Sequence, residues 1–154
     1  MGIEIERKFL VIGEDWKRGA TPQHIGQGYL NRDKQRTVRV RIAGEKAWMT
    51  VKGVSQGAIR PEFEYPIPLE DASQLLKLCE GSPVEKFRWR VPQGGLVWEV
   101  DEFIGDNAGL VVAELELSAE DQQFDKPAWV GLEVTGDARY FNSSLAGRPY
   151  RDWT

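Results

Sequence analysis

The stretch Ile3-Glu4-Ile5-Glu6-Arg7-Lys8-Phe9-Leu10 decides the fold. Glu4, Glu6 and Lys8 occupy every second position, and Ile3, Ile5 and Phe9 fall between them. Side chains on a strand point to opposite faces with period two, so this segment has one charged face and one largely apolar face. The pattern recurs along the chain. Arg39 and Arg41 alternate with Val38, Val40 and Ile42. Glu62 and Glu64 flank Phe63, and Lys86, Arg88 and Arg90 flank Phe87 and Trp89. Glu99 and Asp101 flank Val100, Glu114 and Glu116 flank Leu115, and Lys52 closes a run in which Trp48 and Thr50 alternate with Met49 and Val51.

Working outward from these pairs predicts strands at about 3–10, 27–31, 37–42, 47–53, 61–67, 85–91, 97–103 and 110–117. Turns are expected at Ala43-Gly44-Glu45, Pro92-Gln93-Gly94-Gly95 and Gly105-Asp106-Asn107. Helices are few and short in this reading. One spans Glu70 to Cys79, with Leu75, Leu76 and Cys79 as its apolar stripe. A second is capped by Ser118 with Asp121 and limited by Pro127. A third begins near Asp137, with Tyr140, Phe141 and Leu145 facing the core. No repeat or linker divides the 154 residues, so one domain over 1–154 is expected.

Composition narrows the function classes. A formal net charge of −4 and a pI near 5.2 give no uniformly basic surface for nucleic acid. No apolar run approaches the roughly 20 residues that a membrane helix needs, and no signal-peptide pattern is present, so a cytoplasmic protein without a membrane partner is expected. Cys79 is the only cysteine and His24 the only histidine. Thiolate zinc sites and histidine triads are therefore excluded, and any metal must be held by carboxylates. His24 reads as an incidental loop residue and Cys79 as a core residue. The six tryptophans read mainly as packing, with an exposed subset compatible with a homodimer contact.

An open sheet with its polar face in water would account for one or two like-charged pairs. At about 7 Å, like charges repel by about 0.6 kcal/mol in water and about 2.4 kcal/mol at an effective dielectric of 20, so mixing the signs within each strand would cost less. Repetition of the unmixed pattern points to acids gathered at one place and bases at another. About eight strands also suffice to close a barrel around a small ligand. The acids are Glu4, Glu6, Glu62, Glu64, Glu99, Asp101, Glu114 and Glu116, and the bases are Lys8, Arg39, Arg41, Lys52, Lys86, Arg88 and Arg90. Carboxylates suit hard divalent cations, and arginine and lysine suit phosphate oxygens. A polyphosphate with one or two divalent metals satisfies both sets. The sharp expectation is that Glu4, Glu6, Arg39, Arg41, Glu114 and Glu116 are buried around one cavity.

These residues also resemble a known family. Glu4-Ile5-Glu6-Arg7-Lys8 is similar to the ExExK signature of the CYTH superfamily, the triphosphate tunnel metalloenzymes. Further similar blocks are Gln27-Gly28-Tyr29-Leu30, Thr37-Val38-Arg39-Val40-Arg41, Thr50-Val51-Lys52-Gly53, Arg60-Pro61-Glu62-Phe63-Glu64, Glu85-Lys86-Phe87-Arg88, Trp98-Glu99-Val100-Asp101, Ala113-Glu114-Leu115-Glu116 and the tail from Glu133 to Asp137 with Tyr140 and Asn142. The resemblance implies a mainly β member of the α+β class: a closed eight-stranded antiparallel β-barrel, or tunnel, with a few short flanking helices. It implies Mg2+ or Mn2+ on Glu4, Glu6, Asp101, Glu114 and Glu116, and phosphate on Lys8, Arg39, Arg41, Lys52, Lys86 and Arg88. Glu4, Lys8, Lys52, Glu62 and Glu64 are the implied catalytic set. The implied activity is hydrolysis of inorganic tripolyphosphate, since the chain has no extra module to recognise a base. Hydrolysis of nucleoside or thiamine triphosphates, a class IV adenylate cyclase reaction and a non-catalytic polyphosphate-binding module are the alternatives.

Overall fold

The computed structural model describes residues 2–153. Its strands are β1 (Ile3–Val11), β2 (Pro22–Asn31), β3 (Thr37–Ala43), β4 (Lys46–Lys52), β5 (Ile59–Ile67), β6 (Glu80–Gln93), β7 (Leu96–Ile104), β8 (Val111–Glu116) and β9 (Val130–Glu133). The helices are α1 (Leu69–Leu76) and α2 (Asn142–Gly147). Each period-two segment forms a strand. β2 and β6 extend well beyond their predicted lengths, and His24 lies within β2, not in a loop.

The strands hydrogen-bond in the order β5-β4-β3-β2-β6-β7-β8-β1, and β5 then pairs again with β1. Eight antiparallel strands thereby close a barrel. The closing seam is short, Ile3 to Ile5 against Pro61 to Ile59. Beyond it β1 takes β9 as its neighbour at Phe9 and Val11, an added strand outside the closed ring.

With charges on the inner face, the apolar side chains face outward and need cover. On one flank Phe9, Trp16, Trp98, Val100, Leu115 and Val130 form a core roofed by the segments around Trp16 and Phe124. On another flank α1 sets Ala72, Leu75 and Leu76 against Val40, Ala47 and Met49. The third core lies inside the barrel. Tyr29, Val84, Phe103, Leu110 and Val112 pack with Leu145 and Ala146 of α2, so an apolar plug closes one end of the tunnel. Gly81 lets β6 start beneath that plug. Its φ is +68°, and a Cβ there would lie 2.3 Å from the Ala146 carbonyl oxygen.

Two predicted helices are corrected. Residues 118–127 contain only a turn. The Gln122 side chain accepts hydrogen bonds from both the Ser118 N–H and the Ser118 hydroxyl, which takes the capping role from Asp121. Phe124 is then drawn into the outer aromatic cluster. The final helix is broken in two. A 3-10 turn (Ala138–Tyr140) is followed by Phe141 in extended backbone, and α2 starts only after it. Tyr140 and Leu145 belong to the plug core, as the stripe required. Phe141 leaves that stripe and faces the tunnel.

Candidate active site

The tunnel encloses a cavity of about 280 Å3. Alternation places Glu4, Glu6 and Lys8 of β1 on its wall, with Arg39 and Arg41 of β3 and Trp48 and Lys52 of β4. Arg60, Glu62 and Glu64 come from β5, Lys86, Arg88 and Arg90 from β6, Glu99 from β7, and Glu114 and Glu116 from β8. Strand order turns this list into a polarised ring. β7, β8, β1 and β5 are consecutive and carry every acid; β4, β3, β2 and β6 complete the circle and carry most of the bases. Within the basic half, β2 contributes Gln23, Ile25 and Tyr29 to the wall, and no charge.

Ion pairs stitch the two halves at their borders. At the β4–β5 border Lys52 Nζ lies 3.0 Å from Glu4 and 3.4 Å from Glu62. At the β6–β7 border Arg88 grips both Asp101 oxygens at 2.8 and 2.9 Å and reaches Glu114 at 2.9 Å. Lys86 Nζ is 2.6 Å from Asp101. Arg39 meets Glu64 at 3.3 Å, and both contact the Thr50 hydroxyl. Lys8 and Arg60 are the cations of the acidic half, Lys8 lying 3.4 Å from Glu114 and 4.0 Å from Glu6.

Protonation preferences follow from this crowding. Burial, with Glu114 and Glu4 close by, holds Glu6 well above the usual carboxylate range. Glu62 is raised by burial and by Glu4, and Glu116 by burial and by Glu4 and Glu99. Burial would also raise Glu114, but Lys8, Arg88 and Lys86 overrule it and keep it well below that range. Burial pulls Lys86 down to about 7; Asp101 opposes the fall, and Arg88 and Arg41 add to it. Burial, Arg39 and Arg88 press Arg41 down to about 9. A guanidinium does not give up its proton in a protein, so this pressure marks positive charge that an anion would relieve. Arg39 Nε is buried without a hydrogen-bond partner among the described residues.

Of the six residues expected to be buried around one cavity, all six line it. Glu4, Arg39 and Glu114 are buried, Glu6 and Arg41 are partly exposed, and Glu116 sits exposed at a mouth. Glu62 and Glu64 are also on the wall, the Glu64 side chain 43% exposed. Asp101 differs from the other expected metal ligands. It is 1% exposed, is not on the cavity wall, and spends its oxygens on Arg88 and Lys86. Sequence reasoning gave no site role to Trp48 or Asn142 and placed Phe141 in the core, yet all three line the cavity; nor did it give one to Gln27 directly behind the wall. The ring of Phe141 lies 5.7 Å from both the Lys8 ammonium and the Arg60 guanidinium, bridging two cations at the plugged end. His24 and Cys79 lie off the tunnel. His24 meets Glu85 at 3.1 Å on the outer surface, and half-buried Cys79 follows α1.

Among the described residues, no three His, Cys, Asp or Glu side chains stand at metal-ligand spacing. The ammonium groups of Lys52 and Lys8 lie among the carboxylates instead. The donor set nevertheless fits a hard divalent ion. Glu4, Glu6, Glu62, Glu114 and Glu116 are all oxygen donors on adjoining strands, and three of them bear a proton affinity raised by burial and then by crowded negative charge.

Comparison with known proteins agrees with this architecture. Over 154 residues the chain is 49% identical to an inorganic triphosphatase of Acetivibrio thermocellus, covering 99% of each chain. It is 40% identical over 150 residues to an inorganic triphosphatase of Nitrosomonas europaea, covering 93% of this chain and 96% of that one. A crystal structure of an inorganic triphosphatase superposes with a TM-score of 0.67 at 36% identity, over 92% of this chain and 96% of the other. The CYTH domain pattern matches residues 2–150, and the chain belongs to the CYTH family.

Proposed function

We propose that the protein is a metal-dependent hydrolase that cleaves the terminal phosphate from inorganic tripolyphosphate inside the tunnel. One observation carries the reading. A single cavity presents its acids on one half of its ring and most of its bases on the other, and the basic half contains an unpartnered Arg39 Nε and an Arg41 under pressure from burial and like charges. A triphosphate held by a divalent ion is complementary to both halves. The two relatives named inorganic triphosphatase support the choice of substrate.

In this reading Arg39, Arg41, Lys86 and Arg88 bind non-bridging phosphate oxygens, with the arginines supplying planar, directional donors. Lys8 and Lys52 reach the phosphates from among the acids. Glu4, Glu6, Glu114 and Glu116 hold Mg2+ or Mn2+, with Glu62 beside them. A bound divalent ion neutralises phosphate charge and makes the terminal phosphorus more open to attack by water. Glu62, with proton affinity raised by burial and by Glu4, takes the proton of the attacking water. Glu64, tied to Arg39 and Thr50, fixes the Arg39 fork. Lys52 compensates charge on the departing oxygen. Asp101 acts from behind the wall by aligning Arg88 and Lys86.

A second reading, an organic triphosphate as substrate, is favoured by Trp48 with Ile25 and Ala43 on the wall, an apolar surface suited to a ring. The test is phosphate, pyrophosphate and cyclic AMP release from tripolyphosphate, ATP, thiamine triphosphate and pyrophosphate, with magnesium, manganese or chelator. Equal phosphate and pyrophosphate from tripolyphosphate, fastest in the panel and abolished by chelator, is the expected result. Cyclic AMP formation from ATP outrunning tripolyphosphate cleavage would overturn the proposal.

A further inference from the structure

We propose that Gln27 and Asn142 form a neutral relay that orients Arg41 and Lys86 toward the triphosphate and leaves the charge of Arg41 uncancelled by any carboxylate. The inference rests on the triphosphate reading and assigns positioning roles within it.

The hydrogen bonds run in one line. Arg41 Nε donates to Gln27 Oε1 at 2.8 Å, Gln27 Nε2 donates to Asn142 Oδ1 at 3.0 Å, and Lys86 Nζ donates to the same oxygen at 3.0 Å. Both ends of the line are cations with no acceptor atoms, so each fixes the orientation of the amide it meets. The atom facing Arg41 must be the Gln27 oxygen, and the atom facing Lys86 must be the Asn142 oxygen. Gln27 Nε2 also lies 3.2 Å from the Tyr29 hydroxyl, which secures that amide from a third side.

Carboxylates would make stronger partners than amides, and most other cations of the tunnel use them, Arg60 on the Gly53 carbonyl being an exception. Lys8, Arg39, Lys52, Arg88 and Arg90 each have an acidic partner within 4.0 Å. Arg41 has none among the described residues; its side-chain partner is Gln27. Lys86 shares Asp101 with Arg88, and its remaining acceptor is Asn142. The relay therefore sits where β2 separates the basic strands β3 and β6; there Arg41 meets only a neutral acceptor, and Lys86 adds a neutral acceptor to the Asp101 carboxylate it shares. Gln27 is buried and does not line the cavity, so it acts on bound anion only through Arg41.

The test compares a charged with an uncharged isostere. At an effective dielectric of about 20, a carboxylate about 6 Å from a phosphate charge weakens its binding on the order of 100-fold. Gln27→Glu preserves an acceptor for Arg41 and adds an ion pair; Gln27→Met keeps the shape and removes both hydrogen-bonding roles. Tripolyphosphate binding is measured by calorimetry in chelator, and melting temperature by circular dichroism. The relay predicts that Gln27→Glu melts no lower than Gln27→Met yet binds more weakly than it, at least ~10-fold below wild type. Asn142→Asp against Asn142→Leu repeats the comparison at the other end. A purely structural role predicts the opposite order, with Met worst and Glu near wild type, and that order would overturn the relay. A wild-type protein that neither binds tripolyphosphate in chelator nor releases phosphate from it with magnesium would instead remove the triphosphate reading and the relay with it.

Discussion

Replacing Asp101 by Asn separates a carboxylate that binds metal from one that supports its neighbours. The Asp101 side chain is 1% exposed and takes two hydrogen bonds from Arg88 at 2.8 and 2.9 Å and an ammonium contact from Lys86 at 2.6 Å. Removing one partner from a buried ion pair costs about 3–5 kcal/mol, most of it from the charge left behind. Arg88 would retain Glu114 at 2.9 Å and Glu99 at 3.3 Å, so the stranded charge is chiefly Lys86 and the low end of the range applies. For a chain of this size each kcal/mol moves the melting temperature by about 2–4 °C, which gives a fall of about 6–12 °C. The assay is thermal unfolding, run beside a magnesium titration of tripolyphosphate cleavage. The expected variant melts early, has a raised KM, and needs no more magnesium than its parent for half-maximal rate. A parental melting temperature combined with a raised magnesium requirement would refute the reasoning and return Asp101 to the metal site.

Glu4→Gln should fold normally and lose metal-dependent phosphate release on the order of 100-fold or more, with circular dichroism reporting the fold; full activity would remove Glu4 from the site. Glu6 has a folded-state pKa well above its unfolded value. The folded chain holds a proton that the unfolded chain has lost, so this group's contribution to stability is present below the unfolded pKa and fades as pH rises through the folded one. Magnesium, which competes with that proton, should therefore raise the melting temperature more at higher pH, and a pH-independent increment would count against Glu6 as a ligand. Gly28→Ala places a Cβ 2.8 Å from Cys79 Sγ and 3.2 Å from Leu76. It should cost about 1–3 kcal/mol by urea unfolding with the KM for tripolyphosphate unchanged.

The barrel was readable because its inner face is charged, which makes period-two alternation unusually plain. Alternation also identified the wall residues, since parity alone decides which side chains look inward. It could not distinguish Asp101 from Glu99, which share a parity. One lies behind the wall and the other on it, because depth along the tunnel is set by strand stagger that a single strand does not encode. The plug was nonetheless present in the same parity series: Asp101 continues to Phe103, Glu114 back to Val112, and Lys86 back to Val84, each passing from charge to apolar. Gln27 and Asn142 stood in blocks that resemble the family but received no role, because neutral amides carry no pattern of their own; their importance arises from contacts between β2, β3, β6 and α2. β9 escaped because four residues, one of them Gly131, give too short a run for periodicity.

The short seam between β1 and β5 has a consequence for the order in which the molecule is built. β1 is the first strand of the chain, yet its longest pairing is with β8 and its outer neighbour is β9, both near the far end. Loop-closure entropy makes such contacts slow to form, and during synthesis β8 and β9 emerge long after β1 does. For that interval β1 beyond its short seam with β5 is an unpaired edge, the kind of segment that joins strands of other chains. Glu4, Glu6 and Lys8 guard it, because a strand with charge at alternate positions stacks poorly on copies of itself. The residues that line the tunnel thus act first as a safeguard against aggregation, before the cavity exists.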